Sequence, residues 1–245
     1  MCRHPAWAGE PVTLSSLTLE APFCLLRQSY APRRQKHGVV NADGFGVGWY
    51  VPSRPQPVRY RRAQPMWGDA SFASLAPTIT APCMVAAVRD ATPGFACADE
   101  SCAAPFQHGR WLFSHTGALA DWPRARKTLL ERTFDVPEAT APVDSALLFG
   151  VAVAAWSAGA SLAEGLAETV AAACSVGGGR LSFVAADGEC VAATSYGDPL
   201  FCHESDSGVL LASEPLDDDP AWRRLPPTSL VEAGPIGVRV QPLAP

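Results

Sequence analysis

Residues 145–163, SALLFGVAVAAWSAGASLA, include no charged side chain. A surface helix needs a polar face, and this run offers none. It has to be covered on nearly all sides, by lipid or by protein. The run is long enough to cross a bilayer. However, it is built from Ala, Gly and Ser more than from Leu and Ile, and no basic flank follows it, which favours burial inside protein. The rest of the chain must therefore supply layers on more than one side of this helix. With 245 residues, 48% of them apolar, it has the material to do so.

The flanking patterns indicate what those layers are. Helices are expected near 122–133 and 144–158. A third is expected from 161 to 175, where Ser161 followed by Glu164 forms a capping-box pattern. Before them, CMVAAVRDAT (83–92) and GRWLFSHTGAL (109–119) read as buried strands with polar ends, the second with a turn at Thr116-Gly117. NADGFGVGWYV (41–51) reads as a turn entering a strand, not a nucleotide loop, since no Lys-Ser/Thr or strand–GxGxxG–helix context follows. After residue 179 three hairpins are expected, the first around Asp187-Gly188 and the second near Asp206-Ser207-Gly208. Strands, then helices, then strands predict an α+β fold with antiparallel sheets.

Charge and cysteine usage narrow the function. The net charge of −5 leaves no basic footprint for nucleic acid, and Arg33, Arg34, Gln35, Lys36 and His37 form only a short basic run, read as a solvated loop. No signal peptide is visible, so a soluble cytoplasmic protein with reduced thiols is expected despite eight cysteines. Cys97 and Cys102 lack a second pair at zinc-ligand spacing, and the adjacent Cys202-His203 chelates poorly, so no metal and no cofactor are expected. Cys24, Cys83, Cys174 and Cys190 sit among apolar neighbours and read as core.

Cys2 is different because of its position. Removal of Met1 would give one residue both a thiol and a free α-amine. The thiolate is the nucleophile, with an ordinary pKa of roughly 8.5, and an α-amine of pKa roughly 7.7–8.0 is a base at neutral pH. Such a residue carries its own general base, directly or through one water.

Four motifs in order then resemble the class II (N-terminal nucleophile) glutamine amidotransferase family. Cys2 stands at the nucleophile position. Arg89, Ala91 and Thr92 resemble the family's Arg-x-Ala-Thr strand. FSHTGAL is similar to its His-Asn-Gly strand end, with Thr116 where Asn is usual, and Asp144-Ser145 resembles its Asp-Ser segment. The resemblance implies a four-layer αββα fold formed by residues 2–245 as one domain. It also implies Cys2 as nucleophile, with Thr116 and the Gly117 N–H at the oxyanion. Arg89, Thr92 and Asp144 would bind substrate.

The chemistry of these groups suits a glutamyl end. A guanidinium binds an α-carboxylate bidentately, and a carboxylate suits an α-ammonium. On sequence alone Asp144 also reads as a helix N-cap after Pro142, and the two roles are compatible. Thr116 would be a weaker oxyanion donor than Asn, which predicts a slow hydrolase that Thr116→Asn would speed up. His115 reads as a strand residue outside the chemistry.

Segments 28–50, 65–72 and 212–222 are similar to a hydrolytic branch of the family, the γ-glutamyl hydrolases of ergothioneine biosynthesis. That similarity implies a small-molecule γ-glutamyl substrate whose other half carries a trimethylated histidine. Tyr30, Trp49, Trp67 and Phe72 are candidate aromatic faces for its quaternary ammonium. Two other readings stay open. One is a glutaminase subunit feeding ammonia to a separate synthetase. The other is a catalytically weakened binding protein, suggested by Thr116.

Overall fold

The computed structural model describes residues 2–91, 99–133, 135–234 and 237–244. Its first strands are β1 (Pro5–Thr13), β2 (Phe45–Trp49), β3 (Val58–Arg62) and β4 (Thr80–Val88), followed by β5 (Phe106–His108) and β6 (Trp111–Leu119). After the helical segment come β7 (Gly179–Ala186), β8 (Val191–Ser195), β9 (Phe201–Ser205), β10 (Gly208–Ala212), β11 (Arg223–Arg224), β12 (Ser229–Gly234) and β13 (Gly237–Pro242). The helices are α1 (Leu25–Tyr30), α2 (Ala70–Leu75), α3 (Trp122–Leu129), α4 (Asp144–Ser157) and α5 (Leu162–Ser175).

The strands form two antiparallel sheets, ordered β11-β9-β10-β1-β4-β2-β3 and β13-β12-β8-β7-β6-β5. Small and β-branched residues such as Ala6, Val85, Val184, Val191 and Val231 fill the layer between them. Alternation along each strand sends the other face outward. Leu25 and Phe72, from α1 and α2, join Phe45, Val47 and Met84 on the outer face of the first sheet. Leu148 and Phe149 of α4 and Leu166 and Val170 of α5 join Phe113, Phe183 and Ala192 on the outer face of the second. The result is the expected αββα layering.

The uncharged run is now accounted for. α4 lies against the second sheet and is covered elsewhere by α5 and the turns before it, so even Gly150 is buried. A Cβ there would lie 2.6 Å from Thr133 Cβ. The helix stops at Ser157, and Gly159 then adopts φ +103°. No helix among the described residues is long and apolar enough to cross a membrane. α5 starts with the expected capping box: Glu164 N–H donates to Ser161 Oγ, and Ser161 N–H donates to Glu164 Oε2.

One local expectation fails. No turn forms at Thr116-Gly117. β6 pairs with β7 straight through, Thr116 opposite Ser182 and Gly117 opposite Leu181. The strand tolerates the glycine because its backbone bends there, at φ +147°. The third hairpin pairs as expected, Gly234 opposite Gly237, and its turn residues lie outside the described residues.

Candidate active site

β1 is a central strand of its sheet, between β10 and β4. Its register with β4, Ala6 opposite Val85, continues in a bridge between Arg3 and Val88, with N–H···O distances of 3.1 and 3.0 Å in the two directions. One residue further, Cys2 stands opposite Arg89. Sheet register thus brings together two residues far apart in the chain. From the second sheet, β6 brings His115 and Gly117, and the start of α4 brings Asp144 and Ser145. All of these line one cleft with Cys2 and Arg89.

Each side chain is held. Arg89 is buried and its Nη1 donates to the Asp43 carbonyl at 3.1 Å. Asp144 is the first helical residue of α4, and Val143 occupies the N-cap position. The N-cap reading of Asp144 is therefore off by one residue. Its carboxylate instead ties the helix to the strand end, accepting from Leu119 N–H at 3.0 Å and from Ser145 N–H at 2.8 Å. Gly117 is obligatory, because a Cβ there would lie 1.9 Å from the Arg180 carbonyl oxygen.

Thr116 is not on the cleft. Strand alternation turns it away from the side that His115 and Gly117 share, and it is 1% exposed. Its hydroxyl donates to the Cys2 carbonyl at 3.2 Å and lies 3.3 Å from His4 Nδ1. A second donor, Arg3 Nε, reaches the same carbonyl at 2.8 Å. His4 Nδ1 is also 3.1 Å from Ser114 Oγ. Burial, and then the charges of Arg3 and His115, hold the His4 pKa well below its ordinary value. Its Nε2 has no hydrogen-bond partner among the described residues.

His115, Ser145 and Cys102 also line the cleft. His115 Nε2 donates to the Arg180 carbonyl at 2.9 Å, which leaves Nδ1 to accept from Ser145 Oγ at 3.0 Å. Its i, i+2 relation to Gly117 was the available signal. Thr92 lies outside the described residues. Phe72 and Trp49 are core residues. Tyr30 and Trp67 are exposed and pack edge-on at 6.0 Å, and neither lines the cleft. Cys102 also lines the cleft and is disulfide-bonded, against the expectation of reduced thiols. Cys102 itself is buried, and its bonding partner lies outside the described residues. Cys2, Cys24, Cys83, Cys174, Cys190 and Cys202 are free.

A family model for class II glutamine amidotransferases matches residues 14–202. The γ-glutamyl-hercynylcysteine sulfoxide hydrolase of Mycolicibacterium smegmatis is 44% identical, over 99% of this chain and all of that one. The protein of the same name from Mycobacterium tuberculosis is 41% identical over 99% of this chain and 97% of that one. Among solved structures, a glutamine aminotransferase class-II domain protein from Silicibacter pomeroyi superposes with a TM-score of 0.71 at 24% identity, each chain fully covered. The glutamine phosphoribosylpyrophosphate amidotransferase of B. subtilis gives the same TM-score at 13% identity, over all of this chain and 49% of that one. These two likenesses bear on the fold.

Proposed function

Because this chain belongs to the class II glutamine amidotransferases, we propose that it hydrolyses the γ-glutamyl amide of γ-glutamyl-hercynylcysteine sulfoxide. The products are glutamate and hercynylcysteine sulfoxide. The observation that carries the reading is the single cleft that gathers Cys2, Arg89, Gly117 and Asp144 from both sheets and a helix start. Whole-length similarity to hydrolases of that substrate supports the choice of leaving half.

The roles follow from the chemistry of the groups. Arg89 takes the α-carboxylate of the glutamyl end and Asp144 its α-ammonium. The Cys2 thiol loses its proton to the α-amine exposed by removal of Met1, and the thiolate attacks the γ-carbonyl carbon. Negative charge develops on the carbonyl oxygen, toward which Gly117 offers its N–H. The C–N bond breaks as the leaving amine takes the proton, and a γ-glutamyl thioester remains on Cys2. Water, deprotonated by the same amine, attacks the thioester and frees glutamate and the thiol. The mechanism asks nothing of a metal or cofactor.

The test compares kcat/KM of the purified protein on the hercynylcysteine sulfoxide conjugate and on free glutamine. A clear preference for the conjugate is expected. Equal values would favour a glutaminase subunit that supplies ammonia to a separate enzyme.

A further inference from the structure

Glu214 is 0% exposed, and no step above uses it. The β1–β10 register sets Pro5 opposite Ala212, and the Ser213 N–H donates to the His4 carbonyl at 3.0 Å. Carried one residue on, this register puts Glu214 beside Arg3. Arg3 is 1% exposed and donates to the Cys2 carbonyl. Burial lowers its pKa, and Glu214 is the neighbour that most favours its charge.

The Glu214 oxygens reach a different part of the chain. Oε1 accepts from the Arg33 N–H at 3.1 Å and Oε2 from the Arg34 N–H at 2.7 Å. Glu214 therefore sits in register beside Arg3, the residue after the nucleophile, while its two oxygens hold the root of loop 31–44. A buried carboxylate needs donors for its lone pairs, and here each oxygen accepts one backbone N–H, with the Arg3 charge as a favourable neighbour.

The rest of that loop runs along the rim of the cleft. Asp43 Oδ2 accepts from the Ala91 N–H at 2.7 Å, and its carbonyl accepts from Arg89. Gly38, at φ +73°, lies so close to Asp90 that a Cβ there would be 2.0 Å from Oδ2. Arg89, Asp90 and Ala91 all line the cleft. At the tip, Val39 and Val40 are 76% and 41% exposed. The loop thus carries exposed apolar side chains next to residues that line the cleft, and Glu214 holds its root while Asn41 and Asp43 hold its far end.

We propose that Glu214 is a positioning residue. It fixes loop 31–44 relative to Cys2, so that the non-glutamyl half of the substrate, lying against the loop, arrives in register with the nucleophile. This rests on the hydrolase reading above. The variant Glu214→Gln keeps the shape and loses the charge beside Arg3 and one of the two acceptors. It is assayed on the hercynylcysteine sulfoxide conjugate and on free glutamine, whose ammonia leaving group is too small to touch the loop. The ratio of the two kcat/KM values should fall by about tenfold or more, chiefly through KM for the conjugate.

A second variant guards against misfolding of the first. Gly38→Ala alters the exposed loop and leaves Glu214 in place, and it should lower the same ratio. The double variant should be little worse than the more damaging single one, because both act through one loop. Parallel losses on both substrates, an unchanged ratio, or fully additive effects would overturn the proposal. A wild-type protein without preference for the conjugate would instead overturn the hydrolase reading.

Discussion

Replacing Thr116 by Val separates two accounts of this strand end. If the hydroxyl were an oxyanion donor, its loss would lower kcat by about 10²–10³. The structure gives it another task. It donates to the Cys2 carbonyl, 3.2 Å away, and does not line the cleft. Both of its partners keep a second contact in the variant: Arg3 Nε remains on the Cys2 carbonyl at 2.8 Å, and Ser114 Oγ remains 3.1 Å from His4 Nδ1. No buried group is orphaned, so the cost is that of one or two net hydrogen bonds, about 1–2 kcal/mol of stability. The effect on kcat should stay within about tenfold, through looser placement of Cys2. Thr116→Asn, expected from sequence to accelerate the enzyme, should instead be slower or unchanged and less stable by about 1–3 kcal/mol, because a longer side chain with an additional polar group enters a fully buried site. Steady-state kinetics on a γ-glutamyl substrate and denaturant unfolding check both variants. A hundredfold loss of kcat in Thr116→Val with intact folding would refute the reasoning.

Arg89→Lys and Asp144→Asn should each lower kcat/KM by about 10–150-fold, the equivalent of about 1.5–3 kcal/mol for one charge-assisted contact. The loss should be similar for glutamine and for the conjugate, since both share the glutamyl end, and unchanged kinetics in both variants would remove these residues from substrate binding. His4 gives a pH signature. Its folded pKa is depressed by burial, so the unfolded chain binds the extra proton first as pH falls below 6.5. Its contribution is complete above that pH and is lost on the acid side, at up to about 1.4 kcal/mol per pH unit. Urea titrations from pH 7 to 5 should show this slope reduced in His4→Gln. Ser161→Ala should cost about 1 kcal/mol by removing the α5 cap, read as a lower unfolding midpoint with unchanged kcat.

The layers were legible because they rest on patterns of short period. The charge-free run announced a helix covered on most sides, and the Asp187-Gly188 and Asp206-Ser207 turns announced their hairpins. Of the residues singled out for the chemistry, Cys2, Arg89, Gly117 and Asp144 line one cleft. What failed was orientation. Thr116 was assigned by its place in a motif, yet a strand sends alternate side chains to opposite faces, and His115 and Gly117 take the cleft side. With Thr116 elsewhere, the departure from Asn no longer argues for a weakened binding protein. The Glu214 link was invisible because sheet register, not local pattern, sets it beside Arg3. The Cys102 bond escaped a rule based on compartment alone.

The role of Cys2 as nucleophile is tested by glutamate release from the hercynylcysteine sulfoxide conjugate by Cys2→Ala, beside wild-type protein whose intact mass shows Met1 removed. Rapid release by the wild type and release at the no-enzyme level by Cys2→Ala, with the variant still folded, are expected. Release by Cys2→Ala within about tenfold of wild type would contradict it, because losing a nucleophile that forms the intermediate costs many orders of magnitude.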